Sequence, residues 1–448
     1  MRHHHNLYSL SLVHIFERFS FYGLLSLLVV YGLQTLGMND VRTYALFGNF
    51  VALSYLLNLI GGRIADKSLG YTHCVSTGLL FIVIGSGIIF LNSNFVLWGL
   101  ALFACGVGFY ESSMSSLIGS LYKTNEHHSA RGYTFLYICT NVGSLLGILT
   151  CTFVYQHFQS NVIFILIALS ALIGLMLFHW RDCTHLDSRA SIMPLPHILS
   201  SLVILCMIVI TYYLLNHETI LGIILIVATI ACCVYLFRHV KVNLHNVILV
   251  LVFNATFIIL YMQSKTSLTM FSLNGVYRNL FSITLPAAAL QMLNPIFILL
   301  IGPLIMMLWS WLAKNDIAIS ISSKYSAGLL FSSLAFGVLA ISASHFQTSP
   351  LLILVIAYFL LTLAELLIGP VGLHTILRSS PKNSVAFMMG IWNLSYADAN
   401  YLSSELSKIT SISSYSNEFI ISFAIGLVAA VVCCLANFSI FTKYKSIS

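Results

Sequence analysis

Long apolar segments separated by short polar breaks run along the entire chain. A helix that crosses the hydrocarbon core of a bilayer needs about 20 apolar residues, and by this measure the sequence contains about fourteen spans. The spans cover approximately residues 8–36, 43–65, 73–91, 95–122, 130–157, 161–179, 197–215, 219–237, 246–271, 286–313, 324–345, 351–377, 384–408 and 417–441. The breaks are too short for a soluble domain, so the pattern predicts an all-α polytopic membrane protein.

The distribution of Lys and Arg predicts the orientation of these spans, because cytoplasmic loops are enriched in both. With a cytoplasmic N-terminus, fifteen basic residues fall in inside loops and three in outside loops. The inside set is Arg2, Arg63, Lys67, Lys123, Arg131, Arg181, Arg189, Arg238, Lys241, Lys314, Lys324, Arg378, Lys382, Lys443 and Lys445, and the outside set is Arg42, Arg278 and Lys408. A missed or extra span would scramble this bias, so both termini are predicted to be cytoplasmic.

A polar linker at residues 181–196 divides the pattern after the sixth span. Two spans follow the linker, and six more complete the chain. Many transporters consist of two related six-helix bundles with the substrate site between them. We therefore predict an N-terminal bundle at 7–180, an inserted transmembrane hairpin at 195–240 and a C-terminal bundle at 245–441.

The composition indicates that lipid is the main solvent of this chain. Charged residues make up 7% of the sequence, against roughly 25% in an average soluble domain, and the mean hydropathy is +0.94. The net charge of +7 comes from scattered single residues, which does not fit a nucleic-acid-binding stripe. The ten cysteines do not follow metal-ligand spacing, and we find neither a phosphate-binding loop nor a nucleophile with its base. The sequence therefore predicts no metal, no cofactor and no enzyme.

Six charged residues nevertheless lie well inside predicted spans, away from the span ends. They are Glu17, Arg18, Glu111, Lys265, Glu365 and Asp398. A charge at the centre of a bilayer costs about 3 kcal/mol on insertion scales, so such residues face a cavity or a partner. Any single one is compatible with a structural hydrogen bond between helices. Six of them, on five helices in both halves of the chain, favour a transport pathway.

The first span carries its polar and aromatic residues on one helix face. His14, Glu17, Arg18, Phe21 and Tyr22 follow spacings of three and four residues. The adjacent opposite charges predict a switch. A protonated Glu17 releases Arg18 to hold an anionic group, and an ionised Glu17 recaptures it.

Seven segments, in order, resemble the signatures of one family, the proton-dependent oligopeptide transporters of the major facilitator superfamily. They read HIFERFSFYG, GGRIADKSLG, FLYICTNVGS, QSKTSLTMF, LQMLNPIFILLIGPL, AELLIGPVGL and MMGIWNLSYADAN. The resemblance covers most of the chain except the central hairpin. It implies a rocker-switch fold and proton-coupled import of di- and tripeptides by a monomer, with protons as the coupling ion. The insert after six helices is typical of bacterial members, which implies the bacterial inner membrane.

The resemblance also implies residue roles. Glu17 is expected to be the proton-linked carboxylate, Arg18 its partner and a holder of the peptide carboxylate, and Glu365 the partner of the peptide amino terminus. The residues expected to line the cavity are Tyr22, Tyr55, Asn141, Asn294 and Trp392. The residues expected in the gating loop are Gly62, Asp66, Lys67 and Gly70.

Several positions depart from the family pattern. They are His14 for the first acid of the first-helix motif, Leu25 for an arginine, Asn58 for a proline, Glu111 for the fourth-helix lysine, Met262 for the seventh-helix acid and Gly369 for a serine. In the family the arginine and the seventh-helix acid form one gating ion pair. Both members are apolar here, which avoids an unpaired buried charge costing roughly 3–5 kcal/mol.

The change to Glu111 leaves several interpretations open. Glu111 and Glu365 could face each other and share a proton, or Lys265 could supply the missing cation. Lys265 could instead extend its ammonium to the outer interface, and Asp398 could bond within its own helix. Glu111 and Lys265 are therefore candidate substrate-binding residues, and Glu17, Arg18, Glu111 and Glu365 are candidate proton-coupling residues.

The leading functional prediction is a proton-coupled symporter for di- or tripeptides or peptide-like solutes. The first alternative is a related carrier for another solute, cationic or amine-bearing because of the extra acid, with altered or lost proton coupling. The second is a non-transporting substrate sensor, which usually needs a signalling domain or a long tail. The few residues after Phe441 do not suggest either.

Overall fold

The computed structural model describes residues 2–121, 126–181, 183, 197–239, 244–280, 283–317, 319–379 and 385–436. Sixteen α-helices account for most of them. They are α1 (Arg2–Gln34), α2 (Asp40–Ile64), α3 (Tyr71–Leu91), α4 (Val96–Leu121), α5 (Glu126–His157), α6 (Val162–Trp180), α7 (His197–Asn216), α8 (Glu218–His239), α9 (Leu244–Met262), α10 (Ser267–Asn274), α11 (Leu293–Lys314), α12 (Ile321–His345), α13 (Leu351–Ser379), α14 (Val385–Ser407), α15 (Ile409–Ile412) and α16 (Tyr415–Leu435).

Two short strand pairs complete the secondary structure. Strand β1 (Val276–Tyr277) pairs in parallel with β4 (Ser349–Pro350). Strand β2 (Asn279–Leu280) pairs antiparallel with β3 (Ile283–Thr284). These two-residue strands connect helix ends, so the predicted all-α fold class is confirmed.

Twelve helical segments of the described chain are long and apolar enough to cross a membrane. Helices α7 and α14 are not among the twelve, and together with them the count reaches the predicted fourteen. Polar side chains begin several of these helices at the predicted breaks, because an N-cap oxygen satisfies a free backbone N–H. Asn39 Oδ1 accepts from Arg42 N at 2.9 Å before α2, and Ser320 Oγ accepts from Ser323 N at 3.0 Å before α12. The chain is an integral membrane protein.

The chain forms two compact units, Met1–Leu221 and Gly222–Ser448. In the first unit α1 packs against α5 and α6, and α4 packs against α2 and α3. Glycines allow the closest approach of α5 to α1, since a methyl carbon added at Gly143 would lie 2.5 Å from the Ile15 carbonyl oxygen. Small residues bring transmembrane helices close together in this way. The α1–α5 contact therefore holds the polar face of α1 in a fixed position.

The two helices of the predicted insert fall in different units. Helix α7 packs against α4 in the first unit, where Trp98 stacks on Tyr212 at 4.0 Å between ring centroids. Helix α8 lies in the second unit from Gly222 onward, and Thr229 of α8 donates to Asp398 Oδ2 of α14 at 2.6 Å. Asp398 therefore bonds to a neighbouring helix, and the interpretation that it bonds only within its own helix does not fit. The proposed boundaries of the three domains stay a prediction.

In the second unit the ninth predicted span is interrupted. A continuous helix over 246–271 was expected, but α9 ends at Met262 and α10 begins at Ser267. The side chain of Gln263 explains the break, because it donates to the Ser403 carbonyl oxygen at 2.9 Å and accepts from Ser407 Oγ at 2.7 Å. Side chains that bond to backbone and hydroxyl groups compete with the helical ladder. Residues 263–266 are all buried in protein, which a non-helical backbone at membrane depth requires.

Candidate functional site

The polar face of α1 is buried within the first unit. Glu17 is fully buried, Arg18 is 7% exposed and His14 is 3% exposed. Helix periodicity places these side chains on one face, and the packing of α5 and α4 around α1 covers them. The structure thus buries these three side chains of the polar face, and the expectation that the face lines a substrate cavity stays a prediction.

Arg18 lies between two carboxylates. Its Nε donates to Glu17 Oε2 at 2.5 Å, and its Nη2 is 2.6 Å from Glu111 Oε2. The side chain of Glu111 is 34% exposed, whereas that of Glu17 is fully buried. One guanidinium therefore serves two acids from two helices, and the acid from α4 is the accessible one.

Aromatic rings complete the surroundings of the guanidinium. The Cζ atom of Arg18 is 5.1 Å from the ring centroid of Phe21 and 6.0 Å from that of Tyr22. An arginine over an aromatic face gains roughly 0.5–2 kcal/mol. Tyr22, a predicted cavity residue, thus lies beside Arg18.

His14 ties α1 to two neighbouring helices. Its Nδ1 is 3.3 Å from the Tyr110 hydroxyl on α4, and its Nε2 is 2.9 Å from Thr140 Oγ1 on α5. His14 also stacks on the Tyr110 ring. The His14 ring thus positions α1 against α4 and α5 at the level of the ion pairs.

His14, Glu17 and Glu111 form the one metal-compatible group of the described residues, with ligand atoms within 4.8 Å of one another. Both carboxylates are already bound to Arg18. A divalent ion would have to displace the guanidinium and would leave both positive groups in a buried site, which is costly. The arrangement favours Arg18 as the resident cation.

A second polar group lies in the second unit and joins α9, α11 and α13. Asn294 Nδ2 donates to Glu365 Oε2 at 2.8 Å and to Thr362 Oγ1 at 3.1 Å. The Tyr261 hydroxyl donates to Asn294 Oδ1 at 3.0 Å. The amide of Asn294 therefore holds the Glu365 carboxylate in place, and two of the predicted site residues are brought together.

Lys265 lies in the break between α9 and α10. It is 3% exposed and interacts electrostatically with Glu365. An ammonium that extended to the outer interface would be accessible, so that interpretation of Lys265 does not fit. Lys265 is instead a buried cation within electrostatic range of Glu365.

The other predicted cavity residues lie on α2, α5 and α14. Asn141 bonds within its own helix, from Nδ2 to the Tyr137 carbonyl oxygen at 2.9 Å. Trp392 is 6% exposed and packs in an apolar core of the second unit. Tyr55 is partly buried on α2. Their predicted roles at a substrate remain predictions.

The predicted gating loop adopts a distinct local structure. Gly62 lies in the last turn of α2, and Asp66 and Lys67 lie in a single π-helical turn over Ala65–Leu69. The Tyr71 hydroxyl donates to Asp66 Oδ1 at 2.5 Å. Gly70 has a φ of +78°, which glycine adopts without strain. The turn connects α2 to α3, and the predicted gating role of this loop stays a prediction.

Sequence reasoning missed one buried acid. Glu418 of α16 is fully buried, and its Oε1 accepts from Ser422 Oγ at 2.9 Å. The residue stands at the second position of the last predicted span, and it was not among the six charged residues singled out from the sequence. An acid at the edge of an apolar run was the available signal.

Comparisons with known proteins agree with this architecture. The model of the POT family (PTR2) matches residues 26–421. Dipeptide and tripeptide permease B of Aeromonas hydrophila is 27% identical over 422 residues, which cover 89% of this chain and 84% of the permease.

Solved structures share the fold over nearly the whole chain. A crystal structure of peptide transporter POT in complex with sulfate is 24% identical, with a TM-score of 0.87 and coverage of 96% of this chain and 94% of that chain. Tetrameric PepTSo2 is 21% identical, with a TM-score of 0.82 and coverage of 97% of each chain. The family match spans most of the sequence and confirms the resemblance: this chain belongs to the POT family of transporters.

Proposed function

We propose that this chain is a proton-coupled symporter that imports di- and tripeptides. The names of the permease relatives support peptides as the substrate class, and they do not favour a carrier for an unrelated solute. No cofactor is needed, because protons are the coupling ion. We place the protein in a bacterial inner membrane with both termini cytoplasmic, and we propose that it acts as a monomer.

In the first unit, Arg18 holds the carboxylate of the peptide and Glu17 carries the coupled proton. The observation that carries this proposal is the single guanidinium between two carboxylates. With both acids ionised the group bears one excess negative charge, and Glu17 Oε1 has no hydrogen-bond partner among the described residues. A buried excess charge is costly, and uptake of one proton removes it.

In the second unit, Glu365 receives the amino terminus of the peptide. Asn294 orients its carboxylate, and Lys265 sets the local charge. Tyr22, Tyr55, Asn141 and Trp392 contribute to substrate contacts, and Gly62, Asp66, Lys67 and Gly70 form a loop that gates access. The sharing of a proton between Glu111 and Glu365 stays a hypothesis.

Uptake of radiolabelled dialanine into proteoliposomes tests the proposal. We expect the wild type to concentrate dialanine inside when the outside is acidic, and to only equilibrate it without a proton gradient. Glu17→Gln removes the ionisable group and keeps its size, so this variant is expected to equilibrate dialanine without concentrating it. Equal accumulation with and without the gradient would contradict proton coupling, and the absence of any uptake would contradict peptide transport.

A further inference from the structure

We propose that Glu111 competes with the substrate for Arg18. The Glu111 carboxylate occupies the place on the Arg18 guanidinium that the carboxylate of a substrate must occupy. The inference rests on the proposed function, since it assumes that Arg18 binds an anionic substrate group. On this inference, Glu111 lowers the affinity of the protein for anionic substrates. Three observations carry it: access, bond geometry and charge.

Access distinguishes the two acids on Arg18. Glu17 precedes Arg18 in the chain and is fully buried, whereas Glu111 comes from α4 and its side chain is 34% exposed. A solute that reaches this group from the accessible side therefore meets Glu111 first. The Nη2 side of the guanidinium is the side that Glu111 covers.

The geometry of the Glu111 contact differs from that of the Glu17 contact. Arg18 Nε forms a hydrogen bond with Glu17 Oε2. Arg18 Nη2 and Glu111 Oε2 lie 2.6 Å apart, yet neither atom has a hydrogen-bond partner of acceptable geometry among the described residues. The guanidinium offers five donors in a rigid fork that matches a carboxylate best when two bonds form in parallel. A free carboxylate can adopt that geometry, whereas Glu111 is restricted by its helix.

Charge prevents Glu111 and a substrate carboxylate from binding Arg18 at the same time. Arg18 already neutralises one of the two acids, and a third carboxylate would raise the excess to two negative charges in a largely buried group. A substrate carboxylate can therefore bind at Nη2 only when Glu111 leaves or is neutralised. The contact between Arg18 and Glu111 thus competes with the binding of a substrate carboxylate.

The contact of Glu111 with Arg18 acts only on substrates that need the guanidinium. Affinity for substrates with a free carboxylate is consequently reduced, and substrates without this group are unaffected. The contrast supplies a direct test.

The test compares dialanine with dialanine amide, which lacks the carboxylate, by isothermal titration of the full-length protein at one neutral pH. In Glu111→Gln we expect dialanine to bind about tenfold more tightly than in the wild type, and the amide to change less than about threefold. Glu405→Gln is the matched control, because Glu405 is partly exposed in an ion pair with Lys408 at 2.7 Å. Unchanged or weaker binding of dialanine to Glu111→Gln would overturn the inference.

A second probe keeps the inference separate from the proposed function. Sulfate is an anion that Arg18 can bind without any peptide, and thermal unfolding measures its binding. We expect sulfate to stabilise Glu111→Gln and to have little effect on the wild type or Glu405→Gln. If Glu111→Gln does not fold, Glu111→Ser takes its place. If sulfate stabilises Glu111→Gln but dialanine does not bind, the competition by Glu111 is supported and the proposal of peptide transport is rejected. If sulfate stabilises the wild type and Glu111→Gln equally, the competition by Glu111 is rejected.

Discussion

At the residue scale, the organising feature is the way each ionisable side chain is held. Arg18 is fixed by two carboxylates, and Glu365 is held by the amide of Asn294. Hydrogen bonds to charged groups contribute about 1.5–3 kcal/mol each. Such bonds set the orientation of a binding carboxylate as well as its stability. The polar residues around the acids are therefore as important as the acids themselves.

The substitution Asn294→Ala tests this idea in the second unit. It removes the donor to Glu365 and the acceptor of Tyr261, so we expect dialanine affinity to fall about tenfold or more, from the loss of one charge-assisted bond. Titration of dialanine against the purified variant measures the effect. Asn315→Ala, at an exposed position after α11, is the control and should bind as the wild type does. Equal affinities for both variants would argue against a role of Glu365 in binding.

The sequence predicts only part of this residue-level picture. Glu17 and Arg18 are neighbours in the chain, so their pairing follows from the sequence. The contact between Arg18 and Glu111 joins positions on two different helices, and the sequence did not predict it. Periodicity defines which face of a helix is polar, but it does not define which polar faces meet.

At the element scale, close helix packing positions the site. Gly143 and Gly147 of α5 lie against the backbone of α1 at Ile15 and Phe19. Apolar length predicts where the spans are, and the structure confirms most of them. The interruption between α9 and α10 was missed, because its cause is the bonding of Gln263 to Ser403 and Ser407, residues distant in sequence. Tertiary bonds of this kind leave no periodic signal.

The substitution Gly143→Ala tests the packing of α1. The added methyl group would lie 2.5 Å from the Ile15 carbonyl oxygen and 2.8 Å from Arg18 Cβ, so α1 must shift. Overpacking of this kind costs about 1–3 kcal/mol, and the shift moves Arg18 relative to Glu111. We expect a lower midpoint of thermal unfolding and weaker dialanine uptake. Gly87→Ala on α3, where an added carbon has open space, should change neither. If Gly143→Ala had the unfolding midpoint and the dialanine uptake of the wild type, the contact of Gly143 with α1 would not position Arg18.

At the scale of the whole molecule, the membrane determines the fold. A chain with 7% charged residues must bury most of its surface in lipid or protein, and twelve apolar segments of the described chain are long enough to span a bilayer. Composition and segment length therefore suffice to predict the class, and the ordered motifs suffice to predict the family. The boundary near residue 221 could not be predicted, because it depends on which helices pack together.

Proton movement driven by a peptide is the most direct test of the central claim. Proteoliposomes holding the wild-type protein and a pH-sensitive dye are placed in dialanine solution, with no initial proton gradient and with the membrane potential clamped. We predict that inward dialanine movement acidifies the lumen, that Glu17→Gln abolishes the acidification, and that the control Glu405→Gln retains it. Dialanine entry without acidification in the wild type would contradict proton-coupled symport.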